Sequence, residues 1–172
     1  MSKRIFNIQK GWFAWPRSRK YLNAKTKFSW PGKVSKKDKL LRPKDIPEKL
    51  MVISVLKGKI RPETLLNGKE YFQPRSKKFR TVREGDTSRK SFKRLHRFRF
   101  SPTVCYGHNE VHLHPWKNRR LSVREAMRLQ GIPDTYILPS DVSLTAKFSM
   151  VANGVPVPLA YNVAIKLQEL LK

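Results

Sequence analysis

The chain has 172 residues, and 38 Lys plus Arg against 12 Asp plus Glu leave a formal net charge of +26. That length suits one domain, or one domain with an irregular extension, and the charge goes far beyond what solubility needs, which implies a polyanionic partner, most simply nucleic acid. A single cysteine excludes an internal disulfide. No apolar run approaches the roughly 18 residues of a membrane span, and Met1-Ser2-Lys3-Arg4-Ile5-Phe6 lacks the apolar core of a signal peptide, so a soluble intracellular protein is expected.

The charge is uneven. From Lys117 onward eight Lys or Arg face four Asp or Glu, a net of +4, which leaves +22 for residues 1–116. Residues 1–45 mix bases with Phe6, Trp12, Trp15, Tyr21, Phe28 and Trp30, punctuated by Pro16, Pro31 and Gly32. Such an arm suits either phosphate contact with base stacking or packing of its aromatics on a partner or on its own domain. Asp45 to Lys49 reads as a short turn or helical start. Met51-Val52-Ile53-Ser54-Val55-Leu56 is an apolar, β-branched run closed by Lys57-Gly58, which predicts a buried strand. Residues 57–100 are turn-rich and basic, with short strands expected at Tyr71-Phe72, Phe79 to Val82 and Phe98 to Phe100.

Pro102 to Gly107 and Val111 to Pro115 read as a β-hairpin. His112 and His114 share one face of it with Cys105 nearby, but zinc needs three or four placed ligands and no spacing supplies the rest, so no metal site is assigned. Next comes a helix with both ends written in the residues. Ser122 and Glu125 have the capping-box spacing, Gly131 offers a left-handed stop, and Pro133 forbids continuation. Val123, Ala126 and Met127 form its apolar stripe, while Arg124 and Arg128, four apart, are expected to face something anionic. A last helix runs from Pro156 or Pro158 to Lys172, with Leu159, Val163, Leu167 and Leu170 at helical spacing. That stripe either packs on this chain's own sheet or, as exposed apolar stripes usually do, marks an interface.

Three blocks stand in order: Pro102-Thr103-Val104 with His114-Pro115; Arg119-Arg120-Leu121-Ser122-Val123-Arg124-Glu125-Ala126-Met127-Arg128-Leu129-Gln130-Gly131-Ile132-Pro133-Asp134; and Asn153-Gly154-Val155-Pro156. Together they resemble the C-terminal motifs of the DNA cytosine-5 methyltransferases. The resemblance covers about the last eighty residues, with Ala152 where the family usually has Gly. The family's Phe-x-Gly-x-Gly cofactor loop, Pro-Cys nucleophile and Glu-Asn-Val acid do not occur in this chain.

The resemblance implies an α+β fold: a small recognition domain of short twisted strands and loops, a short capped helix, and a C-terminal helix that packs on a catalytic domain. The expected divisions are an arm at 1–45, a target-recognition region at 46–100, methyltransferase motifs at 101–158 and the helix at 159–172. Asn153 and Val155 are expected to line part of an S-adenosylmethionine site shared with a partner chain. Thr103, His114, Arg119, Arg94, Arg97 and Arg80 are the expected contacts to double-stranded DNA. Arg124 and Glu125 are expected to be structural, and Cys105 a small buried hydrophobe. The implied protein is the non-catalytic subunit of a split methyltransferase whose partner brings the Pro-Cys thiol, in the cytoplasm of a bacterial or phage-infected cell, associated with the nucleoid. The alternative is a stand-alone DNA-binding module or regulator derived from such an enzyme.

Overall fold

The computed structural model describes residues 27–35, 39–89, 91–104 and 110–171. Most of the aromatic arm, Cys105 and most of the expected hairpin turn lie outside the described residues. Among those described, the helices are α1 Val52–Lys57, α2 Lys78–Thr81, α3 Val123–Leu129, α4 Leu144–Asn153 and α5 Val157–Leu170. Single 3-10 turns stand at Glu48–Leu50 and Pro62–Thr64, the first matching the expected helical start.

Helix α3 is the centre. Its capping box is complete: Glu125 N–H donates to Ser122 Oγ at 3.3 Å, and Ser122 N–H donates to Glu125 Oε2 at 2.8 Å. Gly131 takes φ +73°, a left-handed conformation open to glycine. Val123, Ala126 and Met127 enter a core with Val52 and Leu56 of α1, Phe148 and Val151 of α4, and Leu95, Val104, Val111, Leu121 and Leu138 from the connecting segments. Helices α1 and α4 thus both pack on α3.

The expectation of an α+β fold with twisted strands is corrected. Among the described residues there is no strand, only isolated bridges of Leu113 with Arg94 and with Arg120. The run at 51–56 forms α1 instead. Met51 has no capping side chain, and the first N–H groups of α1 are satisfied from far away, Val52 by Arg99 O at 2.8 Å and Ile53 by Arg97 O at 2.9 Å. A helix start of this kind leaves no local mark, because distant carbonyls do the work of a cap. Segment 112–114 does pair, with 93–95 and 119–121, through Leu113 N to Lys93 O at 2.8 Å, Leu95 N to Leu113 O at 3.2 Å and Leu121 N to His112 O at 2.9 Å. The contacts are too brief to make strands. Phe79 to Thr81, expected as strand, belongs to α2.

Helix α4 was not expected from the residues. Ser143 Oγ accepts from Ala146 N–H at 3.2 Å to cap it, and Phe148 stacks on Phe72 with ring centres 5.4 Å apart. Helix α5 follows after Gly154 to Pro156. Its start is anchored on the end of α3, with Val157 N–H donating to Gln130 O at 3.0 Å. Pro158 closes on Gly131 so tightly that a Cβ there would lie 2.5 Å from Pro158 Cδ. No residue of α5 is buried. An 18-residue window within Leu144–Leu170 has mean hydropathy 1.2, enough by length and composition alone to cross a membrane. The break at Gly154 to Pro156 and the burial of Phe148 and Val151 in the core make α4 a packing helix.

Candidate functional site

The block around α3 is built from guanidinium groups that work inside the chain. Arg119 grips Glu125 with both arms, Nη1 to Oε2 at 2.7 Å and Nη2 to Oε1 at 2.8 Å, and also donates to Glu63 at 3.2 Å and to Arg120 O at 2.8 Å. Its guanidinium lies 4.8 Å from the centre of the Tyr71 ring. Burial alone raises the Glu125 carboxyl, but the Arg119 hydrogen bonds, with His114 nearby, outweigh it and hold the group below its ordinary value. A fork-to-fork pair of this kind is charge-assisted and fixed in direction.

His114 is buried beside it, Nε2 lying 3.5 Å from Glu125 Oε1. Its Nδ1 accepts from Trp116 N–H at 3.3 Å and Lys117 N–H at 3.1 Å. A nitrogen that takes two backbone donors cannot also carry a proton, so the imidazole is neutral with its hydrogen on Nε2. Burial, against the pull of Glu125, pushes its pKa down to about 4. Arg94 is 4 % exposed, and its guanidinium donates to Val82 O at 2.8 Å, His114 O at 2.6 Å, Lys117 O at 2.8 Å and Phe79 O. One cation thereby ties α2 to the 114–117 segment. Of the six expected DNA contacts, Arg94, His114 and Arg119 therefore spend their polar atoms within the chain.

Arg124 and Arg128 likewise turn inward, which corrects the expectation that they show their charge to an outside anion: the anion beside them is this chain's own Asp134. Arg124 is fully buried and donates to Leu66 O at 3.0 Å, Pro133 O at 3.3 Å and Tyr136 O at 2.8 Å. Arg128 clasps Asp134 through Nε to Oδ1 at 2.8 Å and Nη2 to Oδ2 at 2.6 Å, and reaches back to Ile60 O at 2.9 Å. The Arg128 hydrogen bonds hold the Asp134 carboxyl below its ordinary value. Two supports had no sign in the sequence. Asn67, at φ +62°, brackets Leu138 by donating to its carbonyl and accepting from its N–H, both at 3.0 Å. Glu70 accepts from buried Lys147 at 2.6 Å.

The remaining expected residues lie at the surface or near it. Arg80 is exposed and lines a groove of ≈ 430 Å³ with Pro74, Arg75, Lys77 and Asn118. Arg97 is half-buried, paired with Glu84 at 2.8 Å and set 5.2 Å over the Trp116 ring. Thr103 is exposed. Asn153, the last residue of α4, and Val155 are both exposed at the joint before α5. Ala152, in the place of the family's glycine, packs against this chain's own core. Its methyl group is thereby directed inward.

The sequence model of the C-5 cytosine-specific DNA methylases matches residues 16–169. The type II methyltransferase M.NmeDI of Neisseria meningitidis serogroup C is 36 % identical over 167 residues, which cover 88 % of this chain and 40 % of that protein. The type II methyltransferase M.FnuDI of Fusobacterium nucleatum is 49 % identical over 53 residues, 31 % of this chain and 15 % of that one. The DNA (cytosine-5)-methyltransferase CMT3 of Arabidopsis thaliana is 45 % identical over 74 residues, 41 % of this chain and 9 % of that one. The chain spans 40 % or less of the length of these relatives. With the family match running through nearly all of its residues, this chain belongs to the C-5 cytosine-specific DNA methylase family.

Proposed function

We propose that this chain is the DNA-binding, target-recognition part of a DNA (cytosine-5-)-methyltransferase, and that a partner polypeptide brings the nucleophilic thiol and the main cofactor fold. The observation that carries this reading is α5. It presents Leu159, Tyr161, Val163, Leu167 and Leu170 to solvent, each at least 36 % exposed, with no buried residue along its length. An apolar helix held at one end and bare along the rest is an interface in want of its other half. The catalytic domain of such an enzyme is the partner that the resemblance implies for it.

Methylation of cytosine at carbon 5 needs a thiolate to attack carbon 6, an acid near ring nitrogen 3 and a target base turned out of the duplex. The one thiol of this chain, Cys105, follows Val104 rather than Pro and lies outside the described residues. S-adenosylmethionine, when bound, supplies the methyl group. Asn153 and Val155 fit one edge of its site: an amide and an apolar side chain stand exposed beside the bare face of α5. The net +22 of residues 1–116 suits a polyanion, with Arg80 and Thr103 exposed for contact. Arg94, His114 and Arg119 hold the recognition region in place from within. The setting of this reading is the cytoplasm, at the nucleoid.

The test is affinity capture from source cells, followed by transfer of labelled methyl groups to DNA with and without the captured protein. Activity that needs both chains, the second bearing a Pro-Cys motif, is the expected result. A chain that emerges alone, binds DNA and never supports transfer would instead be a DNA-binding module derived from the family.

A further inference from the structure

Between the end of α1 and the 114–117 segment runs a groove of ≈ 710 Å³, lined by Leu56 to Thr64 on one side and by His114, Trp116 and Lys117 on the other. Five charged side chains stand along it. Glu63 is already engaged, paired with Lys117 and with Arg119. Lys57, Lys59 and Arg61 are exposed, and none has an ion-pair or hydrogen-bond partner for its side chain among the described residues. Three free cations, one at the end of α1 and two in the turn after it, are an electrostatic opening for an anion.

The loop that carries them is not loose. Arg128 donates to Ile60 O at 2.9 Å and to Val55 O at 3.4 Å, so one guanidinium holds carbonyls on both sides of the turn. Asp134 fixes that guanidinium in direction from behind. Gly58, at φ +47°, permits the close approach, since a Cβ there would lie 2.9 Å from Arg128 Nη1. On the far side, Thr64 Oγ1 donates to Arg61 O at 2.8 Å. The backbone is therefore ordered before any ligand arrives, and only side-chain freedom is lost when the cations engage, which favours tight binding.

We infer that segment 57–61, the end of α1 and the turn after it, is a clamp for the sugar-phosphate backbone of duplex DNA, with Lys57, Lys59 and Arg61 as phosphate contacts and the Arg128–Asp134 pair as their positioning brace. These contacts carry no sequence information of their own; they set register and orientation for base-reading elsewhere. The inference rests on the DNA-recognition reading above.

The test is the salt dependence of binding of the full chain to a labelled duplex, read by fluorescence anisotropy. Each phosphate contact contributes about 0.9 to the slope of log affinity against log salt. The variant Lys57→Ala/Lys59→Ala/Arg61→Ala is expected to flatten that slope by about 2 to 3 and to weaken binding at least tenfold near 0.1 M salt. A control, Lys57→Arg/Lys59→Arg/Arg61→Lys, keeps all three charges in place and is expected to change the slope by less than about 1. Lys59→Gln alone gives a milder version, about 0.9 in slope, should the triple variant melt early. Equal slopes for the two triple variants overturn the clamp while leaving DNA recognition standing. Absence of salt-dependent binding by the wild-type chain overturns both.

Discussion

At the scale of single residues, charge in this protein divides into two kinds. Lys57, Lys59, Arg61 and Arg80 are exposed, whereas Arg94, Arg119, Arg120 and Arg124 are buried and act as cross-links. Arg94 shows why guanidinium is used: a planar fork with five donors satisfies carbonyls from α2 and the 114–117 segment at once. Arg94→Ala is expected to leave those carbonyls unpaired and to cost more than about 3 kcal/mol, read as a shift of the urea midpoint. A primary role on DNA would leave the midpoint unchanged and lower affinity instead. His112 is the opposite case, buried with neither ring nitrogen hydrogen-bonded among the described residues. Burial, then Lys93 and Arg120, push its pKa down to about 4, against 6.5 for the free group. The folded chain thus refuses a proton that the unfolded chain accepts. Stability is full above pH 6.5 and falls as pH drops towards 4, by about 3 kcal/mol for His112, with His114 adding a loss of the same sign. His112→Leu is expected to cost little at pH 7.5 and to make the melting temperature less sensitive to pH between 6.5 and 4, in a series of thermal melts. An unchanged pH profile would show that His112 is not the group titrating.

At the scale of elements, local signals decided some helices and distant ones decided others. Helix α3 could be read end to end because its stop and start are in its own residues: Ser122, Glu125, Gly131, Pro133. What could not be read was how deeply Arg124 and Arg128 turn inward, since beside the nearby Asp134 and Tyr136 their acceptors include the carbonyls of Leu66 and Ile60, more than fifty positions away. Helix α4 had a signal that a closer reading would have used, with Ser143 as cap and Leu144, Phe148 and Val151 at helical spacing. Helix α5 matches its pattern, and its exposure makes a prediction at this scale. Leu167→Asp, on its 47 % exposed face, is expected to leave the melting temperature of this chain within about 2 °C, because no native contact is lost. The same variant is expected to lower methyl transfer and partner capture at least tenfold. A large drop in melting temperature would mean that α5 folds back on its own chain.

For the whole molecule, two surfaces follow from where charge and apolar side chains were left unspent. The basic loop beside α1 suits DNA, while the bare α5 suits a protein, and the joint at Asn153 to Val155 lies against the second. The two roles should separate experimentally. Asn153→Ala is expected to raise the concentration of S-adenosylmethionine needed for half-maximal transfer by about tenfold, the value of one hydrogen bond, while DNA affinity stays within twofold. Equal loss of both would remove Asn153 from the cofactor edge. Ala152 packs inward against the core, so its departure from the family's glycine leaves that edge open.

The residues by themselves determined the polycationic character, the capped helix, the apolar C-terminal helix and the family to which the chain belongs, because each is written in local composition, spacing or motif. Only the tertiary structure decided that 51–56 is helical, that segments expected as strands are joined by guanidinium groups, and that Arg94, His114 and Arg119 are internal. The physical reason is common to all three. A carbonyl that caps a helix, or an arginine that gathers carbonyls from separate segments, acts across space, and neither leaves a periodicity in the chain that carries it.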